Sequence, residues 1–295
     1  MTTWSNPKCN FFESGRDKER VLAGCGHVRR GLRAAIVTTL SAAIAAAILL
    51  APSGDAVGGG IQATVSDPDR TVGPLFSGGL AADHKCTASV LSAGRDLLLT
   101  AAHCLVGTGA GVQFVPGYDG TAAEPTPYGV WTVTRTWVPA GWLENQDPDH
   151  DYAILQVTDL DVGGRSASIN ETTGGNDISV PLFGPPSRRV TVEAYNAGSD
   201  DAPIRCTASA DLHQAIPSFG CEGYSAGTSG APWLQDTGFA GRRVVVGVIG
   251  GSFQGGCLDS VSYSPKFDWD VVALLLRATL NLRPDDVPAA GDNGC

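Results

Sequence analysis

An all-β fold is what this 295-residue sequence predicts, and three observations lead there. Thirty-eight glycines and 18 prolines cut the chain into short runs, many of them rich in Val, Thr and Ile, which suits strands joined by tight turns. Convincing helical character occurs once after residue 57, where Asp268 is placed to cap the free N–H groups of Trp269-Asp270-Val271-Val272-Ala273-Leu274-Leu275-Leu276-Arg277-Ala278-Thr279-Leu280. With 43% hydrophobic residues the chain can bury one large core or two small ones, so a two-barrel arrangement fits its length.

Residues 1–28 are polar and aperiodic and include Cys9 and Cys25. Arg29-Arg30-Gly31-Leu32-Arg33 then precedes an uncharged run over 34–51 and the small residues Gly54 and Ala56, the layout of a secretory signal cleaved after Ala56. The alternative is a membrane anchor through residues 34–51, at the lower length limit for a span. The adjacent arginines also admit twin-arginine export. Met1 is the only methionine and the polar leader is long for a signal, so translation is expected to start at Val21 or Val28. Eight cysteines behind an export signal point to an oxidising compartment. From Val57 onward there are 13 basic and 26 acidic residues, a net charge of −13 that repels phosphate backbones and makes nucleic acid an unsuitable partner.

Short strands follow from Val72. Residues 86–91 and 97–100 flank the Gly94-Arg95-Asp96 turn as a hairpin, and further strands are expected over 112–115, 130–138 and 152–157. Gly163-Gly164, Gly174-Gly175 and Pro185-Pro186 mark 158–187 as a crossing segment. Residues 188–195 alternate apolar and polar, and 204–210, 243–249 and 261–263 complete a second set of strands. Residues 283–295 are expected to be a loose acidic tail ending in Cys295.

The chemistry centres on Gly223-Tyr224-Ser225-Ala226-Gly227-Thr228-Ser229-Gly230-Ala231-Pro232-Trp233. Gly223 to Gly227 matches the G-x-S-x-G elbow, but that motif needs a histidine further along the chain, and the five histidines are His27, His84, His103, His150 and His213. Ser229 instead needs its base and orienting carboxylate upstream, and Thr100-Ala101-Ala102-His103-Cys104 and Asp151-Tyr152-Ala153-Ile154-Leu155 supply both, in the order His, Asp, Ser. Asp147, Asp149 and His150 compete with Asp151, which alone opens the apolar strand directly. His84 and His213 read as loop or strand-end residues.

On these residues the chain, over roughly 72–280, resembles the trypsin/chymotrypsin-like serine peptidase family, secreted bacterial type. The resemblance implies two six-stranded antiparallel β-barrels with a C-terminal α-helix packed on them. The expected layout is a leader (1–56), a short propeptide or N-terminal segment (57–70), the first barrel (71–165), an interdomain segment with the second barrel and helix (166–282), and a tail (283–295). It implies a secreted serine endopeptidase whose catalytic residues are His103, Asp151 and Ser229, with an oxyanion hole from the N–H groups of Gly227 and Ser229. It also implies a Cys86/Cys104 bridge. Of the remaining mature cysteines, Cys206/Cys221 and Cys257/Cys295 are the favoured pairs, exchange between them staying open. No Cys-His metal spacing is present, so neither metal nor cofactor is expected.

The substrate pocket is expected from Glu222, Gly223, Tyr224, Val248, Ile249, Gly250 and Gly251. No Asp stands just before the nucleophile, and Ile249 and Val248 stand where glutamyl-specific relatives carry a histidine, so an apolar or broad preference is expected. A hydroxyl that touches the catalytic Asp in many members is missing here. Val57-Gly58-Gly59-Gly60 is similar to the new N-terminus of an activated zymogen, but Thr228 replaces the buried Asp that mechanism needs, leaving removal of a short propeptide near Arg70 as the open form of processing. The expected partners are a polypeptide substrate and a protein inhibitor, and the expected state is a monomer. The competing readings are a catalytically silent binding protein of the same fold and a membrane-tethered protease.

Overall fold

The computed structural model describes residues 60–295 except 159, 163–164, 181–187, 199–200, 239–240 and 293. Residues 1–59, where the expected signal or anchor segment, Cys9 and Cys25 fall, lie outside the described residues. Among the described residues no helix is long and apolar enough to cross a membrane.

Strand β1 (Thr64–Val65) precedes six strands that close a barrel: β2 (Val72–Phe76), β3 (Cys86–Val90), β4 (Leu97–Thr100), β5 (Gln113–Phe114), β6 (Trp131–Trp137) and β7 (Ala153–Val157), in the order β2-β3-β4-β7-β6-β5. The near-continuous apolar runs follow from burial on both faces. Leu98, Ala153 and Leu155 point into a cluster with Leu75, Val90 and Trp131. Their neighbours Leu97, Leu99 and Ile154, on the opposite face by the strand's period of two, join Val245, Val248, Val271 and Leu274 in a second cluster outside the barrel.

The remaining strands are β8 (Leu160–Val162), β9 (Arg165–Ala167), β10 (Asp177–Ile178), β11 (Arg188–Ala194), β12 (Ile204–His213), β13 (Ile216–Gly220), β14 (Pro232–Asp236), β15 (Arg243–Val248) and β16 (Val261–Tyr263). Strands β8 and β9 pair with each other, while the others form a sheet ordered β10-β15-β14-β11-β12-β13-β16, with β1 added to β12. This eight-stranded sheet is consistent with the second barrel of the expected two-barrel fold. Between β15 and the β16 side, Gly250 N–H reaches Tyr263 O (3.0 Å) and Val248 N–H reaches Ser264 Oγ (3.1 Å).

The final helix, α3 (Trp269–Thr279) in chain order, begins where expected, with the Asp268 side chain accepting from Asp270 N–H, and buries Val271, Leu274 and Ala278. Two short helices escape a 3.6-residue pattern because neither exceeds two turns: α1 (Ala140–Asn145), and α2 (Ile169–Thr173) with its Ser168/Glu171 capping box. The sulfur bridges are Cys86–Cys104, Cys206–Cys221 and Cys257–Cys295, so the exchanged pairing is not made.

Both ends of the described chain are fastened. The N-terminal segment pairs Thr64 and Val65 with Arg205 and Ile204, and exchanges Ala63 N–H to Glu222 O and Glu222 N–H to Ile61 O, both 2.8 Å. The tail, rather than hanging loose, makes an antiparallel bridge between Val287 and Gly107 with two 2.8 Å bonds.

A buried acid pair completes the N-terminal attachment. Glu193, 1% exposed, accepts from Asp69 N–H (2.6 Å) and from Arg205, while Asp69 pairs with Arg243 and accepts from Thr71. Burial would raise Asp69, but the hydrogen bond and charge of Arg243, with the bonds from Thr71, outweigh it and hold the carboxyl below its ordinary value. Burial pushes Glu193 up to about 7, the Asp69 charge adding to it and Asp69 N–H and Arg205 only partly offsetting it. An acid raised from 4.5 in the unfolded chain to about 7 in the native one favours the fold while protonated. Its contribution is therefore full below about pH 4.5 and is lost as the pH rises through about 7. We expect urea unfolding from pH 4.5 to 8 to show wild type losing stability relative to Glu193→Gln by on the order of 3 kcal/mol. Parallel profiles for the two proteins would refute this.

Candidate active site

His103 is placed by the end of β4. Ala101 is extended, and a 3-10 turn over Ala102–Cys104 swings the imidazole out of the barrel wall. Small residues are required there because the second half of the molecule presses close: a Cβ on Gly230 would lie 2.1 Å from Thr100 Oγ1 and 2.9 Å from Ala101 N. The Cys86–Cys104 bridge ties the turn to β3.

Asp151 follows a 3-10 turn over Pro148–His150 and immediately precedes β7. Because β4 and β7 pair with Thr100 opposite Ala153, the two side chains meet although 48 residues separate them. The carboxylate is 0% exposed and takes three N–H groups: His103 Nδ1 (2.7 Å) and Gly251 N–H (2.8 Å) on Oδ2, and His103 backbone N–H (2.9 Å) on Oδ1. A carboxylate has only acceptors, so this contact puts a proton on Nδ1 and leaves the Nε2 lone pair free. The Gly251 N–H stands in for the missing hydroxyl. Its neighbour Gly250 is closely packed, since a Cβ there would lie 3.1 Å from Asp151 Oδ2. The competing groups form a separate cluster, with His150 bonded to Asp147 (2.8 Å) and Asp270 (3.3 Å). His84 is wholly buried, bonded to Asp201 (2.9 Å) and edge-on to Phe76 and Tyr195.

Ser229 lies on the turn after Gly227. The Ala226 carbonyl accepts from Ala197 N–H at 2.6 Å, and in a trans peptide the following N–H points the opposite way, so Gly227 N–H faces the cavity. Neither Gly227 N–H nor Ser229 N–H has an acceptor among the described residues. Glycine is needed at 227, where φ is +99° and a Cβ would sit 2.2 Å from Ala197 N. Asn196 clamps the loop from both sides, accepting Ser225 N–H (3.0 Å) and donating to Gly223 O (3.1 Å). Thr87 of β3 holds the far end through Oγ1 to Gly227 O (3.0 Å) and N–H to Ser229 O (2.7 Å). Asn196 and Thr87 carry no motif, so sequence reading misses them.

His103, Gly227 and Ser229 line one cavity of about 540 Å³. Ser229 is half-buried, and among the described residues its hydroxyl has no hydrogen bond, to His103 or any other group. Such contacts are often long in an unliganded site and tighten when substrate binds. Of the expected pocket residues, Tyr224 and Ile249 line this cavity. Glu222 and Gly223 instead line a neighbouring shallow depression with Gln62. Val248 is fully buried in the core, and Gly250 and Gly251 back Asp151. The outer wall is a segment no motif marks, residues 253–258. Cys86, His103 and Cys104 also approach one another, but the two sulfurs are bonded together and offer no thiolate to a metal.

No protein-family model matches the chain, and no curated protein matches it in sequence. Solved structures do match in fold. The protease Anisep from Arthrobacter nicotinovorans superposes with a TM-score of 0.59 at 21% identity, over 74% of this chain and 99% of its own. The thermostable serine protease AL20 from an extremophilic microorganism gives 0.56 at 22%, over 72% and 98%. Human heparin binding protein gives 0.55 at 16%, over 78% and 100%. The fold is thus the chymotrypsin-like two-barrel fold of serine proteases.

The Asn196 clamp is testable without any activity. Asn196→Ala should speed amide exchange at Ser225 and lower stability by about 1–3 kcal/mol, since it leaves a donor and an acceptor unmatched. Unchanged exchange over residues 221–230 would show that the clamp is idle.

Proposed function

We propose that this protein is a secreted serine endopeptidase that hydrolyses peptide bonds through His103, Asp151 and Ser229. The single observation that supports this best is the buried Asp151 carboxylate, which fixes the His103 ring with its free Nε2 on the cavity that Ser229 also lines. Ser229 Oγ attacks the substrate carbonyl carbon while His103 Nε2 takes its proton, and Asp151 stabilises the imidazolium. The carbonyl oxygen becomes an oxyanion that accepts from Gly227 N–H and Ser229 N–H, donors worth about 100–1000-fold each in rate. Collapse expels the amine, which receives the proton from His103, and leaves an acyl-enzyme. Water then attacks that ester with His103 again as base.

The cavity wall is mainly uncharged, with Tyr224, Ile249, Phe253 and Leu258, and carries one Lys (Lys85) and one Asp (Asp259). This supports an apolar or broad preference for the residue that is cleaved. Three disulfides support export to an oxidising compartment. The protein is proposed to act as a monomer without cofactor on polypeptides, open to a protein inhibitor. A second reading, a silent binding protein, draws on the unpaired Ser229 hydroxyl and on the fold neighbour whose name gives heparin as its ligand. A net charge of −13 from Val57 onward disfavours a polyanion here.

A fluorophosphonate probe should label the folded, secreted protein at Ser229. Ser229→Ala should abolish labelling, and His103→Ala should slow it by at least about 1000-fold, as loss of a triad member does. An unlabelled wild type with an intact fold would favour the binding reading.

A further inference from the structure

The outer cavity wall has a backbone that its own residues do not favour. After Gly251, at φ +77°, Phe253 and Gln254 are both left-handed (φ +56° and +51°), and Gly255 and Gly256 follow at +107° and +138°. A left-handed residue bearing a side chain costs about 1–2 kcal/mol, so two in succession persist only where something outside the segment holds them.

Within the segment Gln254 N–H reaches Gly251 O (2.9 Å), and Phe253 packs on the Tyr263 ring. The C-terminal strap supplies the polar and covalent ties from outside: Gln254 Nε2 donates to Gly291 O at 2.8 Å, and Cys257 is bonded to Cys295. The strap is in turn anchored on the first barrel. Val287 is 3% exposed in that barrel's cluster and bridges Gly107, Asp285 N–H reaches Thr136 O (2.8 Å), and Gln146 beyond α1 bonds both Ala289 O (2.6 Å) and Gly291 N–H (2.9 Å). The Asp285 carboxylate accepts from Val138 N–H (3.0 Å) and pairs with Arg277 of α3 (2.9 Å). The wall of a cavity that ends the second half of the fold is therefore fastened, through the last residues of the chain, to the first.

We propose that this strap is the brace that sets the shape of the substrate cavity, so that Gln254 and the Cys257–Cys295 bond are positioning elements for substrate selection. The inference rests on the endopeptidase reading. It places selection in the wall and leaves the bond-making groups alone, because the strap touches neither His103, Asp151 nor Ser229 in any hydrogen bond among the described residues. Reduction or trimming of the C-terminus would then alter which peptides are cut while sparing the nucleophile.

The test uses the full-length secreted protein as wild type, Gln254→Ala and the double substitution Cys257→Ala with Cys295→Ala. Each is assayed by fluorophosphonate labelling rate and by a peptide library varied at the cleaved residue. The double variant should label within about 3-fold of wild type, while KM for the preferred peptide rises about 10-fold and discrimination between side chains falls by a similar factor. Gln254→Ala, which keeps the disulfide, should raise KM about 3-fold with kcat unchanged. Wild-type KM and discrimination in both variants would overturn the proposal, as would labelling and cleavage falling in parallel at full foldedness by near-ultraviolet circular dichroism. If the double variant does not fold, Gln254→Ala decides alone, its wild-type kinetics overturning the proposal and its raised KM supporting it. A wild type that neither labels nor cleaves sinks the endopeptidase reading, whereas an active wild type with indifferent variants sinks only the brace.

Discussion

One buried charge organises the molecule: the Asp151 carboxylate, out of water and satisfied by three N–H groups. Two of those donors come from the first barrel's His103, and the third comes from Gly251 beyond β15 of the second sheet. A carboxylate without its donors would be costly to bury, so the two halves of the fold are held in register at the point where the imidazole is aimed. Packing around that point is close: Ala101 and Ala102 are fully buried, and a Cβ on Gly250 would lie 3.1 Å from Asp151 and 3.3 Å from Ala101 Cβ.

The same economy of space shapes the serine turn. Gly230 presses on Thr100 and Ala101, Gly227 on Ala197, and Thr87 bonds both Gly227 and Ser229. Neighbours from both barrels thus hold the turn in its conformation. The N-terminal segment serves a different purpose. Through Asp69 and Glu193 it closes a buried acid pair against the second sheet, so cutting near Arg70 would part Asp69 from Thr71, both of which belong to one network.

Much of this was legible in the chain. The hairpin over 86–100, the strands around 131–137 and 153–157 and the Asp268-capped helix lie where alternation, turn residues and a cap place them, because each signal is local. Two places were not legible. Helices α1 and α2 are too short for a period to accumulate, and the tail's attachment depends on Gly107, Thr136 and Gln146, more than 140 residues away.

What the sequence by itself determined is the inventory and its order: which side chains could serve as base, orienting carboxylate and nucleophile, which cysteines were available, and short apolar runs between turn residues that favour β structure. What the tertiary structure alone decided is direction. The N–H of Gly251 on Asp151, the N–H of Gly227 turned to the cavity by Ala197, and a wall held left-handed by the chain's last residues are all backbone orientations. Every residue type carries the same peptide group, so no letter in the sequence can announce which way it points; that follows only from the contacts that surround it.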